Sequence, residues 1–398
     1  MRNILYIVPS DYDSLKQKGV IDLILQRDEG GFFNKVFTLH PFTKNNKVIK
    51  LKENNIIFEY GWKSSLDFLN KFRITKIFRT LIILLKLIFI FPFIIKKEKI
   101  SIIRATDPYY MGLIALYYSK LLKIPFIVSV HSDYDKGAEL GGQTFKVLGS
   151  RKIAKQIEKF VYKKADLILP ISNYLKRKII DQYEIDENNI DVFYHGVSFE
   201  NFDNTKFLNI KEIFNIDKPY ILGYIARLSK EKQCLDILYI TKELVKMRND
   251  FCILVAGNGP EYNYMNSFIK KNNLENNIKL IGFQSKNIVF TIKKQSNINI
   301  CLLDGFSLIE ACASGKPVIA YDTEWHSELI KDNTSGLLVK ENDIKEMVNK
   351  IDYLLNNEKL SHKLGKYARE LAFQNHSLKN SVKNKQNIYH KILKKFGE

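Results

Sequence analysis

Two consecutive α/β units, each a parallel sheet wrapped by helices, are predicted by three observations. Short apolar, β-branched runs alternate with helically spaced apolar stretches from end to end, and strand–helix–strand repetition means parallel sheets with helices on both faces. The length, 398 residues, makes two domains at roughly 100–200 residues each. A polar segment around Asn201–Asp217 divides the alternation into two series. An apolar share of 45% beside 26% charged residues is a globular balance and excludes a wholly disordered chain.

The elements follow in order. MRNILYIVPS carries one basic residue and an apolar run too short for a signal-peptide core with a cleavage site, so Ile4–Val8 is read as the first buried strand. Val36–Leu39, Ile100–Arg104, Pro125–Val130 and Leu167–Ile171 continue the first series, with helices predicted over Phe68–Ile90, Met111–Leu122 and Arg151–Lys163. The second series has strands at Tyr220–Ile225, Phe251–Ala256, Ile278–Ile281, Ile298–Leu303 and Pro317–Ala320. Its helices include Cys234–Lys246, Tyr262–Lys271, Leu308–Ala313 and Ile344–Asn356. Ser377–Phe396 closes the chain as a Lys-rich helix.

The four cysteines, Cys234, Cys252, Cys301 and Cys312, form no C-x-x-C pair, which argues against a disulfide framework or a zinc knuckle. They read as small hydrophobes in a reducing compartment. The strongest apolar stretch, Leu81–Ile95, is interrupted by Lys86 and Pro92 and falls short of the roughly 20 residues a span needs. The expected location is cytoplasmic, with peripheral attachment to the inner face of the membrane.

Net charge is +19. Between Lys71 and Lys99 stand eight basic residues, Lys71, Arg73, Lys76, Arg79, Lys86, Lys96, Lys97 and Lys99, against one acid, Glu98. They interleave with apolar residues rather than with glycine or stacking aromatics. That mixture fits a solvated basic surface on a buried helix or a helix lying on an anionic membrane. Zinc-finger spacing and aromatic RNA-binding signatures are absent, and no nucleic-acid partner is expected.

In doubly wound sheets ligands bind beyond the carboxyl ends of strands, so the residues just after each strand matter most. His131 follows Pro125–Val130. In GYIARLSKEKQCLDIL, Arg227 and Lys232 stand in the turn between a strand and a helix. Free N–H groups with both cations beside them make a phosphate site; two solvated cations near a helix start is the alternative. GNGP at Gly257–Pro260 is a tight turn or part of the same loop cluster. Asp304-Gly-Phe306-Ser307-Leu308-Ile-Glu310 runs from a strand through a glycine loop into a helix. Amide groups around Ser307 and Leu308 could face phosphate, and Glu310 could accept hydrogen bonds from a ribose diol; a carboxylate that merely complements the helix dipole is the alternative. Cations for a diphosphate and a carboxylate for ribose together describe a nucleotide-diphosphate pocket.

ARLSKEK, AGNGP, GFSLIEACASGKPVIAYD and SGLLV, in that order over Tyr220–Val339, resemble the family-four retaining glycosyltransferases of GT-B fold. VSVH ending at His131, PISNYLKRKI at Pro170–Ile179 and YHGVSFENF at Tyr194–Phe202 extend the resemblance through most of the chain after about residue 100. The resemblance implies two Rossmann-like domains facing across a cleft. Residues 1–202 would bind the acceptor and 203–375 the nucleotide sugar, with helix 376–398 packing back on the first domain. It implies a sugar moved from a nucleotide-diphosphate donor to a glycan or lipid-linked acceptor hydroxyl in cell-surface synthesis, with retention and with neither metal nor other cofactor. Arg227 and Lys232 would bind the diphosphate, Glu310 the ribose and Asp304 the donor sugar, with His131 by the reacting carbon. Phe306, Ser307, Leu308, Gly257 and Gly19 would complete the nucleotide-sugar site.

Two departures stand out. Asp304 and Glu310 are separated by five residues where the family usually has seven, and Asp322–Glu328 (DTEWHSE) replaces a small glycine loop. The triplets Asp11-Tyr-Asp13 and Asp133-Tyr-Asp135 would suit a metal-dependent GT-A transferase, but two successive Rossmann-like halves disagree with that fold. A nucleotide-sugar epimerase and a non-catalytic nucleotide-sugar or membrane-binding module are the rival readings. Only His131 offers the proton chemistry of the first, and the set Arg227, Lys232 and Glu310 argues against the second.

Overall fold

Strands form where the β-branched runs predict them, and the topology adds an ordering that those runs leave open. The computed structural model describes residues 2–17, 19–61, 80–141, 149–206 and 208–397. They group into two compact units, Met1–Ser132 with Phe145–Phe193 and Val382–Glu398, and Asp133–Thr144 with Tyr194–Ser381.

The first unit holds β1 (Asn3–Ile7), β2 (Lys35–Thr43), β3 (Lys47–Lys52), β4 (Asn55–Gly61), β5 (Ile100–Ala105), β6 (Phe126–Val130) and β7 (Leu167–Pro170). Their order is β3-β4-β2-β1-β5-β6-β7. All neighbours are parallel except β3 with β4. The sequence reading places no strand between Leu39 and Ile100. β3 carries Lys47, Lys50 and Lys52 among Val48, Ile49 and Leu51 and exposes every second residue; lysines on an edge strand resist further pairing.

The helix expected over Phe68–Ile90 lies partly outside the described residues; its described part runs on through residues 80–97. Lys86–Ile90 forms a wide π turn before Phe91–Lys97. Pro92 supplies the reason: it donates no amide and its ring crowds the carbonyl four residues back, that of Ile88. The Tyr117 hydroxyl donates to this carbonyl at 3.0 Å, and that of Tyr118 to Leu87 O at 2.8 Å. The closing helix, Leu378–Lys395, sends Ile388, Tyr389, Ile392 and Leu393 into one core with Ile4, Tyr6, Val36 and Ile102.

The second unit holds β8 (Tyr220–Ile225), β9 (Phe251–Ala256), β10 (Ile278–Leu280), β11 (Ile298–Cys301), β12 (Val318–Asp322) and β13 (Leu337–Lys340), ordered β10-β9-β8-β11-β12-β13 and parallel throughout. β13, within the SGLLV segment, was not anticipated as a strand. The order reverses between β8 and β11, and crevices for ligands open at such a switch point. In the first unit the reversal falls between β1 and β5. All four cysteines are buried free thiols. Among the described residues no helix is long and apolar enough to cross a membrane.

Candidate functional site in the second unit

The loops after β8 and β11 leave the sheet side by side, because their strands pair through Ile298–Leu222, Asn299–Gly223 and Ile300–Tyr224. The first loop carries Arg227 and ends in the short turn Lys230–Lys232, from which Asp236–Leu244 continues as an α-helix. Arg227 is 65% exposed and held loosely by Glu231, 3.1 Å away. Lys232 reaches across the switch point: its Nζ donates to the Leu303 carbonyl at 3.0 Å. Gly257 and Gly259 press against the same loop. A Cβ on Gly257 would lie 1.9 Å from Ala226 O, and one on Gly259 2.2 Å from Leu228 O, so no larger residue fits either position. The Leu228 amide donates to Asn258 O and joins the two loops, while the Gly257 amide donates to Gly282 O beyond β10.

Within this cluster Ser229 Oγ and Gln233 Oε1 are buried and have no hydrogen-bond partner in the protein. Orphaned buried oxygens carry a cost of about 1–3 kcal/mol each, so they mark a place where a ligand or solvent completes the structure.

The second loop gives Asp304, Gly305 and the helix Phe306–Ala313. Asp304 is buried, and burial raises its carboxyl to about 6 against the pull of Lys232 and Lys293. That carboxyl meets the Cys301 thiol and the Leu302 amide, so it is folded back on its own strand end. Ser307 Oγ donates to Ile225 O at 2.8 Å and ties the helix start to β8. The Leu308 amide donates to Gly305 O at 3.1 Å and its side chain is buried. This amide, expected to face a phosphate, is engaged inside the first turn of the helix. Phe306 lies against His195, ring centroids 4.4 Å apart.

Glu310 is joined to a cation that sequence reasoning missed. Lys293, on the helix Lys286–Gln295, is 1% exposed and sets its Nζ 2.5 Å from Glu310 Oε2 and 3.1 Å from Ser307 O. His326, inside the DTEWHSE segment, is buried between the Tyr321 carbonyl and the Asp304 backbone. Burial pushes its imidazole down to about 4, so it stays neutral near pH 7. Lys136 pairs with Glu341 at 2.6 Å and contacts Thr323, whose hydroxyl donates to the same carboxylate at 2.8 Å. Gln233 donates to Glu341 as well. Of these, His326 and Thr323 stand in the DTEWHSE segment and Gln233 in GYIARLSKEKQCLDIL, both singled out by the sequence; Lys293, Lys136 and Glu341 stand in neither.

His131 and Gly19 belong to the first unit. His131 follows β6 and packs edge-on against Phe193, and burial, with Arg104 and Arg27, pushes its imidazole down to about 3. Gly19, at φ +67°, ends the helix Tyr12–Gln17 with its amide on Lys16 O, and a Cβ there would meet nothing within 4 Å. Both D-x-D triplets serve local structure: Asp11 accepts from the Ser14 amide and hydroxyl, Asp13 pairs with Lys47, and Asp133 caps the helix Tyr134–Glu139. Among the described residues no cluster of His, Cys, Asp and Glu is placed to hold a metal.

Two family models divide the chain between them. "Glycosyl transferases group 1" matches residues 206–371, and "Glycosyltransferase Family 4" matches residues 66–201. The chain belongs to the family-four glycosyltransferases of GT-B fold. This glycosyltransferase is 25% identical over 378 residues to the capsular polysaccharide biosynthesis glycosyltransferase CapM of Staphylococcus aureus, covering 90% of this chain and 91% of that one. It is 25% identical over 283 residues to an uncharacterised glycosyltransferase of Methanocaldococcus jannaschii, 70% of this chain and 72% of the other. Its fold matches that of Anabaena HepE in complex with UDP, with a TM-score of 0.73 at 14% identity over 98% of this chain and 100% of that one. In the glycosyltransferase, then, the loops that follow β8, β9 and β11, which carry Arg227 and Lys232, Gly257, and Asp304, Phe306 and Glu310, belong to one unit.

Proposed function

We propose that this glycosyltransferase takes a sugar from a nucleotide-diphosphate donor and places it, with retained configuration, on an acceptor hydroxyl of a cell-surface glycan or glycolipid precursor at the cytoplasmic face of the membrane. The carrying observation is the pair of loops at the β8/β11 switch point, where Lys232 bridges to Leu303 O while Ser229 Oγ and Gln233 Oε1 stay buried and unpartnered. Its cations suit a diphosphate. The UDP in the Anabaena relative's structure and the capsular role in the name of the S. aureus relative support the donor and acceptor classes.

In this reading the donor C1–O bond breaks as negative charge grows on the leaving diphosphate. Arg227 and Lys232 stabilise that charge without a divalent ion. The acceptor oxygen bonds to C1 on the face the diphosphate leaves, and the acceptor proton passes to a diphosphate oxygen. Glu310 orients the donor through its ribose.

A thermal-shift screen against nucleoside diphosphates and nucleotide sugars tests the donor class. A ligand specific for the native state adds about 2.7 kcal/mol at a hundredfold excess over its dissociation constant. No stabilisation by any nucleoside diphosphate would overturn the reading. Membrane attachment is tested by flotation with phosphatidylglycerol vesicles. Each basic residue near such a surface adds about 1 kcal/mol, and unaltered flotation at high salt would refute an electrostatic contribution. Of the basic set in Lys71–Lys99, Lys71, Arg73, Lys76 and Arg79 lie outside the described residues; Lys96, Lys97 and Lys99 are exposed.

A further inference from the structure

The first unit has its own switch point, between β1 and β5, and an apolar cavity of about 710 Å³ opens there. Pro9, Ser10 and Asp11 come to its wall from the loop after β1, Pro41 to Lys44 from the end of β2, and Tyr110 to Ile114 from the helix after β5. These are the places where an open α/β sheet binds ligands, and the volume is that of a small-molecule site. Yet the lining is mostly hydrocarbon, from Leu84, Met111, Leu113, Ile114 and Phe42 among others. Phe42 holds φ +61° at a break in the β2–β4 register. A bulky side chain in the left-handed region is a costly conformation, and here it belongs to the cavity wall.

The cavity also continues into an exposed apolar face. Leu84 lines it and sits on the helix of residues 80–97, whose Leu81, Leu85, Ile88, Phe89, Ile90 and Phe93 are all exposed, Phe93 at 73%. Tyr117 and Tyr118 fasten this helix alongside Tyr110–Leu122 at Ile88 and Leu87, while Leu84 shares the cavity with Leu113 and Ile114. The two helices therefore run side by side in the same direction, with the cavity at their starts. Lys96, Lys97, Lys99, Lys120 and Lys123 are exposed at or just beyond their ends. At the cavity Lys44 is exposed, and the Asp11 carboxylate is committed to Ser14. Apolar faces fringed by lysine lie in anionic bilayers; a hydrocarbon-lined cavity that opens onto such a face suits a lipid tail.

We infer that the cavity between Asp11, Phe42, Leu84 and Ile114 binds the hydrocarbon chain of a phosphate-bearing membrane lipid that serves as acceptor, with Lys44 beside its head group. This rests on the membrane-acceptor reading given above and adds the chain-binding site to it.

The test uses the full-length protein with dodecyl phosphate below its micelle concentration. Hexyl phosphate and inorganic phosphate serve as short-chain and chainless controls. Calorimetry should show dodecyl phosphate binding and little or no binding of either control. Leu113→Trp, which places an indole in the cavity, should weaken dodecyl phosphate by about tenfold or more. A terminal-diazirine analogue of dodecyl phosphate, photolysed with the unaltered protein, should label Leu84 or the Met111–Ile114 segment, which keeps the test decisive if Leu113→Trp does not fold. Equal binding of all three phosphates, or labelling elsewhere, overturns the chain site. Flotation on phosphatidylglycerol vesicles is measured separately. Retained alkyl binding with no flotation would refute the membrane reading and leave the cavity assignment intact, while flotation without alkyl binding would do the reverse.

Discussion

Replacing Glu310 by glutamine should damage the protein twice, once in stability and once in ligand binding, and the two can be separated. Lys293 is 1% exposed and takes its hydrogen bonds at Glu310 Oε2, 2.5 Å, and Ser307 O, 3.1 Å. Glu310→Gln leaves that ammonium buried with a carbonyl and an amide but no countercharge. Removing one partner of a buried pair costs about 3–5 kcal/mol; the carboxylate is 20% exposed, which places the expected loss at the lower end, near 3 kcal/mol. Glu310→Leu with Lys293→Met removes both charges and should recover most of that loss, because apolar pairs of similar volume often replace buried ion pairs at little cost. Urea unfolding of Glu310→Leu, Lys293→Met and the double variant supplies the cycle. Calorimetry with a nucleoside diphosphate on the double variant then isolates the ribose role, where losing a charged hydrogen-bond partner costs about 1.5–3 kcal/mol. A stability loss below about 1 kcal/mol in Glu310→Gln would refute the buried-pair reasoning. Unchanged diphosphate affinity in a folded double variant would remove Glu310 from the ribose.

Arg227→Ala and Lys232→Ala should each lower turnover by about 10²–10³ at saturating donor. Arg227→Ala should leave stability within about 1 kcal/mol, since its pair with Glu231 is exposed; near-normal turnover in either variant would take that residue away from the leaving group. Gly257→Ala should unseat the loop after β8, because its Cβ would stand 1.9 Å from Ala226 O and the residue holds φ +148°. Loss of nucleoside diphosphate stabilisation in thermal shift, with most of the fold kept, is the expected outcome, and a wild-type shift would refute the close approach. Asp304 titrates near 6 in the folded chain against an ordinary 3.8, so its contribution to stability is present below about pH 3.8 and lost as pH rises through 6. That difference is worth about 3 kcal/mol. Between pH 4 and pH 7.5 Asp304→Asn should therefore gain stability relative to the unaltered protein, and parallel pH profiles would refute the raised carboxyl.

How far the sequence reaches depends on whether a feature is local in the chain. The strand–helix alternation is local, so Tyr220–Ile225 and Phe251–Ala256 carry the same bounds in the sequence reading and the structure. The edge hairpin of β3 and β4 escaped because the lysines at 47, 50 and 52 dilute the apolar signal of β3. β13 is only four residues long, Leu337–Lys340, and its apolar run is too short to announce a strand by itself. Arg227, Lys232 and Glu310 were legible because each sits next to a strand end or helix start. Lys293 was not: it stands in the last turn of its helix beside Lys294 and Gln295, where a lysine reads as a solvated helix end, and only the packing of Lys286–Gln295 beside Phe306–Ala313 brings it to Glu310.

The shortened spacing between Asp304 and Glu310 shows how the local and the distant parts of the site depend on each other. With five residues between the acids, Asp304 stands in the loop just ahead of Gly305, close to the end of β11 at Cys301, and its carboxyl turns back to Cys301 and Leu302. Its backbone is met by His326, and its charge is drawn on by Lys232 and Lys293. Lys232 in turn holds Leu303 O, and Lys293 holds Glu310. A change at Asp304 therefore perturbs both cations at once, one assigned to the diphosphate and one behind the ribose carboxylate. His326, which comes from the segment that replaces the family's glycine loop, fills the space behind Asp304 and stays neutral near pH 7. The two departures from the family pattern are thus in contact. Restoring one without the other, for instance by grafting a glycine loop in place of Asp322–Glu328, should expose the Asp304 carboxyl to solvent and lower its pKa toward the ordinary carboxylate range. An NMR titration of Asp304 in that variant checks the coupling, and an unchanged midpoint would refute it.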